Sequence, residues 1–301
     1  MSALKMHRVN PPSTPSRRGR LTKRVAAAAV SALVIGGTMA PTATHAESSP
    51  TGPVPDWSTT TGTDGRVYIA DSIGRALQFH GFNHKTSDPA TLTDDLLAAG
   101  VERGMDHVRL AIYWDKFEAT QDVWDEAYFD RLSAAIDRAE AHGLLVILDM
   151  HQDVFGARFD GAGIPDWATR DDGLPYTKHD VWLINYLEPA VQAAWEHLYE
   201  DADLRAQQIE AWTEVVTRYK DHPAILGYDL LNEPFGKVRP GEDLFSAAER
   251  VERVQLTAMY QRLTDAISAI DPDHWVFIEP PNLASLGIAT SLGKVDGPRV
   301  A

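Results

Sequence analysis

The sequence has 301 residues, 44% of them hydrophobic, which is enough for one domain with a sizeable core. It has no cysteine, so a disulfide framework and thiolate chemistry are excluded. A formal net charge of −15 sets the chain against nucleic acid and anionic lipid as electrostatic partners.

In chain order, the first 46 residues differ from the rest. Lys5, Arg8, Arg17, Arg18, Arg20, Lys23 and Arg24 give seven positive charges there and no acid. An apolar stretch from Val25 to Ile35 follows, then small residues ending in "PTATHA". Basic region, short apolar region and small-residue end predict a signal peptide cleaved after Ala46 and an exported protein. The apolar stretch is shorter than the roughly 20 residues needed to span a bilayer, so no stable membrane insertion is expected. Arg17 and Arg18 in "SRRGRLTK" keep a twin-arginine route open beside the general one. Taking the seven positive charges from the total of −15 leaves −22 on the remainder. Residues 47–65, "ESSPTGPVPDWSTTTGTDG", are rich in Pro, Ser, Thr and Gly, and this composition predicts a linker.

From residue 66 onward, strand and helix patterns alternate. Ala76–Asn83 is a first strand, and Thr91–Gly104 a helix with an N-cap threonine, acids in its first turn and a closing glycine. His107–Trp114 is a second strand, Asp125–His142 a second helix, and Leu144–Met150 a third strand. A long excursion, part irregular and part helical, runs from Gln152 to near Ala206. Ile209, Trp212, Val216 and Tyr219 then share one helix face. Ile225–Leu231 reads as a strand buried on both faces, and Pro234 marks its exit. A helix over Glu249–Ile270 and a fifth strand over His274–Pro280 complete the series, with a further helix expected near Leu283. The charges in "GEDLFSAAERVER" predict a solvated helix face.

Alternation of this kind implies parallel strands joined by crossovers. "HGFNHK" after the first strand is not the glycine-rich turn of a dinucleotide fold. Polar residues instead gather past the carboxyl ends of successive strands: Asn83 and Lys85, Trp114, His151 and Asp153, Asn232 and Glu233, Glu279. That placement predicts a (β/α)8 barrel, with about five of its eight βα units present between residues 66 and 301.

Glu233, flanked by Asn232 and Pro234 at a strand end, is the strongest chemical signal. A partly desolvated barrel mouth raises a carboxyl pKa toward the range a general acid needs. A structural role, as ion-pair partner of Arg109 inside the second strand, stays open beside it. His151 and Asp153, with Asp149 before them, have the spacing of a metal site. No second histidine lies nearby, so hydrogen bonding to a polyol is the preferred reading, beside a histidine that ties a loop. Trp167, Tyr176, Trp182 and Tyr186 fit either stacking on sugar rings or loop packing. Asp229, deeper along its strand, reads as structural.

The segments "HGFN", "HVRLAIYW", "LDMHQDVFG", "DWATRDDGLP" and "YDLLNEPFG", in that order, resemble the endoglycoceramidase branch of glycoside hydrolase family 5. The resemblance runs from about Arg75 to Arg299. It implies a retaining glycosidase that hydrolyses the β-glycosidic bond between oligosaccharide and ceramide, with no metal or organic cofactor. By it, Glu233 is the general acid/base and Asn232 binds the sugar next to the scissile bond. His151, Asp153 and Lys85 contact the glycan, and Arg109 supports the catalytic carboxylates. Retaining chemistry takes two carboxylates about 5 Å apart. The resemblance puts the nucleophile at the end of strand seven, beyond Ala301. Glu279, which ends the fifth strand, is read as lining the mouth. The implied partner is a glycosphingolipid or oligosaccharide, not nucleic acid. Another family 5 β-glycosidase of glucanase or cellulase type, or an inactive carbohydrate-binding remnant, stands as the alternative.

Overall fold

The computed structural model describes residues 57–301. The expected signal peptide and the first part of the expected linker lie outside the described residues.

The described part opens with a hairpin. Strands β1 (Ser58–Thr61) and β2 (Val67–Ala70) pair antiparallel. Part of the predicted linker is therefore a strand. Its Ser-Thr-Thr-Thr run has linker composition, but threonine is β-branched and suits a pleated ribbon. "GTDG" supplies the turn, closed by Gly62 N–H donating to the Arg66 carbonyl at 2.8 Å.

Five parallel strands follow: β3 (Gly81–His84), β4 (His107–Ile112), β5 (Leu145–Met150), β6 (Ile225–Asp229) and β7 (Trp275–Phe277). They lie side by side in chain order. Residues 76–80, predicted as the start of the first strand, make only one isolated bridge, Ala76 with Ala70. Between β3 and β4 runs α1 (Asp94–Glu102), capped by Thr93. After β4 come a single turn, α2 (Trp114–Phe117), and α3 (Glu126–Ala141), capped by Asp125. The excursion after β5 holds α4 (Trp182–Asn185) and α5 (Pro189–Glu200) before α6 (Ala202–Tyr219) returns to the sheet.

After β6, α7 (Leu244–Arg250) passes through a π-helical stretch, Val251–Leu256, into α8 (Thr257–Ser268) without leaving helical dihedrals. Asp243 and Ser246 form a capping box at its start, ahead of the predicted Glu249. The charges of this helix form a solvated face only in part: Asp243, Glu249 and Arg253 are exposed. Glu252 is buried and accepts from Thr290 Oγ1 at 3.0 Å and from the Ser291 N–H. Arg250 is half-buried and paired with Glu242 at 2.6 Å. Among the described residues, no α-helix follows β7. A 3-10 turn over Asn282–Leu286 and an irregular segment lead to residues 299–301, which run parallel along β7. Val276 N–H donates to the Arg299 carbonyl at 2.8 Å, and Ala301 N–H to the Val276 carbonyl at 2.9 Å.

Alternation along the strands separates two cores. Val146, Leu148, Ile225, Tyr228 and Val276 face the helices in the larger one. Leu145, Ile147, Leu226, Trp275 and Phe277 face the barrel interior, where Trp57 of the hairpin packs among them. A bulge in β6 makes this sorting work. Val146 pairs with Ile225, and the next residue, Ile147, pairs with Gly227, so Leu226 is the extra one. The bulge returns Asp229 to the interior face, directly across from Asp149. Bulges near functional sites commonly re-aim a side chain in this way. Gly227 has no room for a Cβ, which would stand 2.1 Å from the Trp275 carbonyl oxygen.

Candidate active site

The carboxyl ends of β3 to β7 converge on one polar cluster. Its base is Arg109 on β4, only 16% exposed in its side chain. Arg109 Nε donates to Asp229 Oδ2 at 2.8 Å, and Nη1 lies 3.0 Å from Asp149 Oδ2. Nη2 donates to Glu279 Oε1 at 2.6 Å and to Asn232 Oδ1 at 3.2 Å. One guanidinium thus faces three carboxylates. Burial raises the Asp229 pKa, the Glu279 and Asp149 charges raise it further, and Arg109 does not cancel them. Asp229 is the member of this cluster pushed well toward its protonated form.

Above this base, His151 Nδ1 donates to Asp149 Oδ2 at 2.6 Å, and its Nε2 lies 3.7 Å from Asp153 Oδ2. Burial works against a charged imidazole, but the two aspartates outweigh it, so the His151 pKa lies above its ordinary value. The aspartates bind opposite ring nitrogens and do not converge on one point, as a metal site through this histidine would need. Asp153 also pairs with Lys85 at 2.7 Å. Its own pKa is lowered, since His151 and Lys85 overcome the burial that would raise it. Lys85, just past β3, is therefore tied to the site across the sheet.

Asn232 is buried. Its N–H donates to the Met150 carbonyl at 3.0 Å, and its Nδ2 to the Gln152 carbonyl at 3.0 Å. Glu233 sits at φ +40°, a left-handed conformation that a non-glycine residue rarely adopts. Such strain costs on the order of 1–3 kcal/mol and persists only where the surroundings hold it. Its N–H donates to Glu279 Oε2 at 2.8 Å. Burial raises the Glu233 pKa above the ordinary carboxylate value, and the Glu279 and Asp153 charges raise it further, against Lys85 and His151. A carboxyl whose surroundings favour its protonated form, at the open end of a parallel sheet, can deliver that proton to a leaving oxygen.

The model of "Cellulase (glycosyl hydrolase family 5)" matches residues 70–297, which span all five parallel strands. The chain belongs to glycosyl hydrolase family 5. Its five strands with their crossovers are part of that family's (β/α)8 fold. Within the family it is similar to Endoglycoceramidase I of Rhodococcus hoagii (strain 103S), with 31% identity over 74% of this chain and 46% of that protein. Endo-glycoceramidase II from Rhodococcus sp., solved as a lactosyl-enzyme intermediate, matches with a TM-score of 0.68 and 33% identity, covering 78% of this chain and 58% of that one. The same protein solved as a ganglioside GM3 complex gives 0.67 and 32%, covering 80% and 56%. The chain spans about half the length of the relatives it matches.

The family 5 chain brings all six residues expected from its sequence, Glu233, Asn232, His151, Asp153, Lys85 and Arg109, to one end of the sheet. The alternative in which Glu233 is the ion-pair partner of Arg109 does not hold, because Arg109 is committed to Asp149, Asp229 and Glu279. Glu279 does more than line the mouth. One of its oxygens takes Arg109 and the other takes the Glu233 N–H. Gln152 was not singled out by sequence reasoning. It is fully buried between the two expected residues His151 and Asp153, and its Nε2 donates to the carbonyls of Asn232 and Glu233, both at 2.9 Å. A polar residue just past a strand in a cluster of polar residues was the available signal. Of the excursion aromatics, Trp167, Tyr176 and Tyr186 use their polar atoms on the protein itself. Trp182 is 41% exposed and packs edge-on against Tyr186.

Proposed function

We propose that this chain carries the acid/base half of a retaining β-glycosidase that separates oligosaccharide from ceramide in glycosphingolipids. The observation that carries the reading is Glu233: a carboxyl of raised pKa, fixed by its backbone at the carboxyl end of β6 beside Asn232, His151, Asp153 and Lys85. In the first step Glu233 gives its proton to the glycosidic oxygen as the ceramide leaves. In the second it takes a proton from the water that releases the sugar. The nucleophile comes from strand seven of the complete barrel. Asn232, His151, Asp153 and Lys85 supply donors and acceptors for sugar hydroxyls, and Arg109 holds the carboxylates beneath them in place. The lactosyl-enzyme intermediate and the ganglioside complex of the similar Rhodococcus protein support both the retaining course and the substrate class.

The test is Glu233→Gln in the protein with the complete barrel. Turnover of natural glycolipid is expected to fall roughly 10²–10⁴-fold, with binding largely kept. A substrate with a very good leaving group should lose much less in the glycosylation step. Undiminished turnover of glycolipid would remove Glu233 from this role.

The description of the matching family as cellulase favours a second reading, hydrolysis of a soluble β-glucan. Rates on glycolipid in detergent micelles and on soluble β-glucan separate the two. The protein is also proposed to be secreted, from the basic and apolar pattern of residues 1–46. No helix among the described residues is long and apolar enough to cross a membrane. Amino-terminal sequencing of exported protein should begin near Glu47, and retention of Met1 would contradict this.

A further inference from the structure

We infer that Gln152 is a positioning residue for the acid/base carboxyl, clamping the Glu233 backbone in its left-handed conformation against Glu279. This rests on the reading of Glu233 as acid/base and adds the device that aims it.

The clamp is visible in the hydrogen bonds. In extended chain, successive carbonyls point to opposite sides. One amide nitrogen can reach the carbonyls of Asn232 and Glu233 together only because the chain turns at Glu233, φ +40°. From the other side, Glu279 Oε2 takes the Glu233 N–H at 2.8 Å, while Arg109 holds Glu279 Oε1 at 2.6 Å. The peptides on both sides of the Glu233 Cα are thus pinned, and the side chain has one exit direction. The orientation of the Gln152 amide follows from its partners. Two carbonyl oxygens can only accept, so the nitrogen faces them. Oε1 accepts from the Phe155 N–H at 2.8 Å, which can only donate.

That last bond joins a second strained turn to the first. Val154 and Phe155 sit at φ +46° and +72°, and the Val154 N–H is held by Tyr186 Oη at 2.9 Å. This turn directly follows Asp153, the residue that pairs with Lys85 and approaches His151. A single buried amide therefore sets the position of Glu233 relative to the sugar-facing residue Asp153. A misplacement of about 1 Å at a reacting group can cost on the order of 10²-fold in rate.

The test compares Gln152→Glu and Gln152→Met with the parent in the protein carrying the complete barrel, using a natural glycolipid and an aryl glycoside with a highly activated leaving group. Thermal unfolding qualifies each variant as folded. At neutral pH both variants should lose roughly 10–100-fold in kcat on glycolipid, with KM changed less than about threefold. The aryl glycoside, which needs little proton donation, should lose far less in its glycosylation step. In Gln152→Glu, protonation of the new carboxyl restores one donor. Its deficit relative to the parent should shrink as pH falls, while the Gln152→Met deficit stays constant. Equal losses on both substrates, or turnover within about threefold of the parent, would overturn the proposal. Gln152→Asn, with the same amide one methylene short, carries the same comparison if the other two do not fold. Glu233→Gln in the same assay separates the two ideas. Its failure to lose glycolipid turnover overturns the acid/base reading and the clamp with it. A loss there without one in the Gln152 variants overturns the clamp alone.

Discussion

Glu279 is the residue whose charge most directly tunes its neighbour. Burial is the first cause of the raised Glu233 pKa, and Glu279 is the largest charge behind it. Glu279→Gln keeps an oxygen for the Glu233 N–H and removes the negative charge. Ionising Glu233 then becomes easier, so its pKa falls toward the ordinary carboxylate value. The limb of the kcat/KM–pH profile that needs protonated Glu233 should therefore move to lower pH in the complete enzyme. An unmoved limb, or one moved upward, would show that Glu279 does not act through its charge. The position of Glu233 just past a buried strand was legible in the sequence because Asn-Glu-Pro at a strand end is a short local pattern. The roles of Glu279 and Gln152 were not, because each depends on which atoms meet across 46 and 81 residues of chain, respectively.

Among the elements, the hairpin β1–β2 shows most clearly what composition hides. A Thr-rich run with glycines at its turn reads as linker until a buried tryptophan is found at its start. Trp57 closes the interior core against Leu226 and Trp275. Trp57→Ala should cost roughly 3–5 kcal/mol, seen as a lower midpoint in urea unfolding, if the hairpin is part of the fold. A change below about 1 kcal/mol would return the segment to linker status. The parallel strands were legible because β4, β5 and β6 are dense in Leu, Ile and Val and lie within 1 or 2 residues of their predicted ends. The burial of Glu252 in the π-helical stretch was not, because its partners Thr290 and Ser291 lie 38 and 39 residues further along the chain. Sequence reasoning gave Glu252 to solvent, as charge density alone suggests.

For the molecule as a whole, the five-stranded sheet has two edges of different character. Residues 299–301 already lie along β7, which shortens the exposed edge there. On β3, the other edge, no strand among the described residues pairs with Gly81–His84 on the side away from β4. Unpaired strand edges invite association with other chains. Residues 47–301 expressed alone should therefore self-associate, unfold without a sharp transition and fail to hydrolyse glycolipid. A charge of −22 on that segment slows association by repulsion but supplies no missing partner strand. Size-exclusion, thermal unfolding and a glycolipid assay check this together. A monomer with a cooperative transition and activity would contradict it and make Glu279 the first carboxylate to test as nucleophile.

The extra residue in β6 has a consequence for how this sequence tolerates change. Leu226 is a spare letter: the strand can lose it and keep every later address. Its deletion would pair Ile225, Gly227, Tyr228 and Asp229 in unbroken register with Val146, Ile147, Leu148 and Asp149. Tyr228 would stay among the helices and Asp229 beside Arg109. Losing Gly227 as well would move each later residue by one place, turning Tyr228 to the interior and Asp229 away from Arg109. A pair of variants, one lacking Leu226 and one lacking both residues, should therefore keep and lose the Arg109–Asp229 contact, respectively.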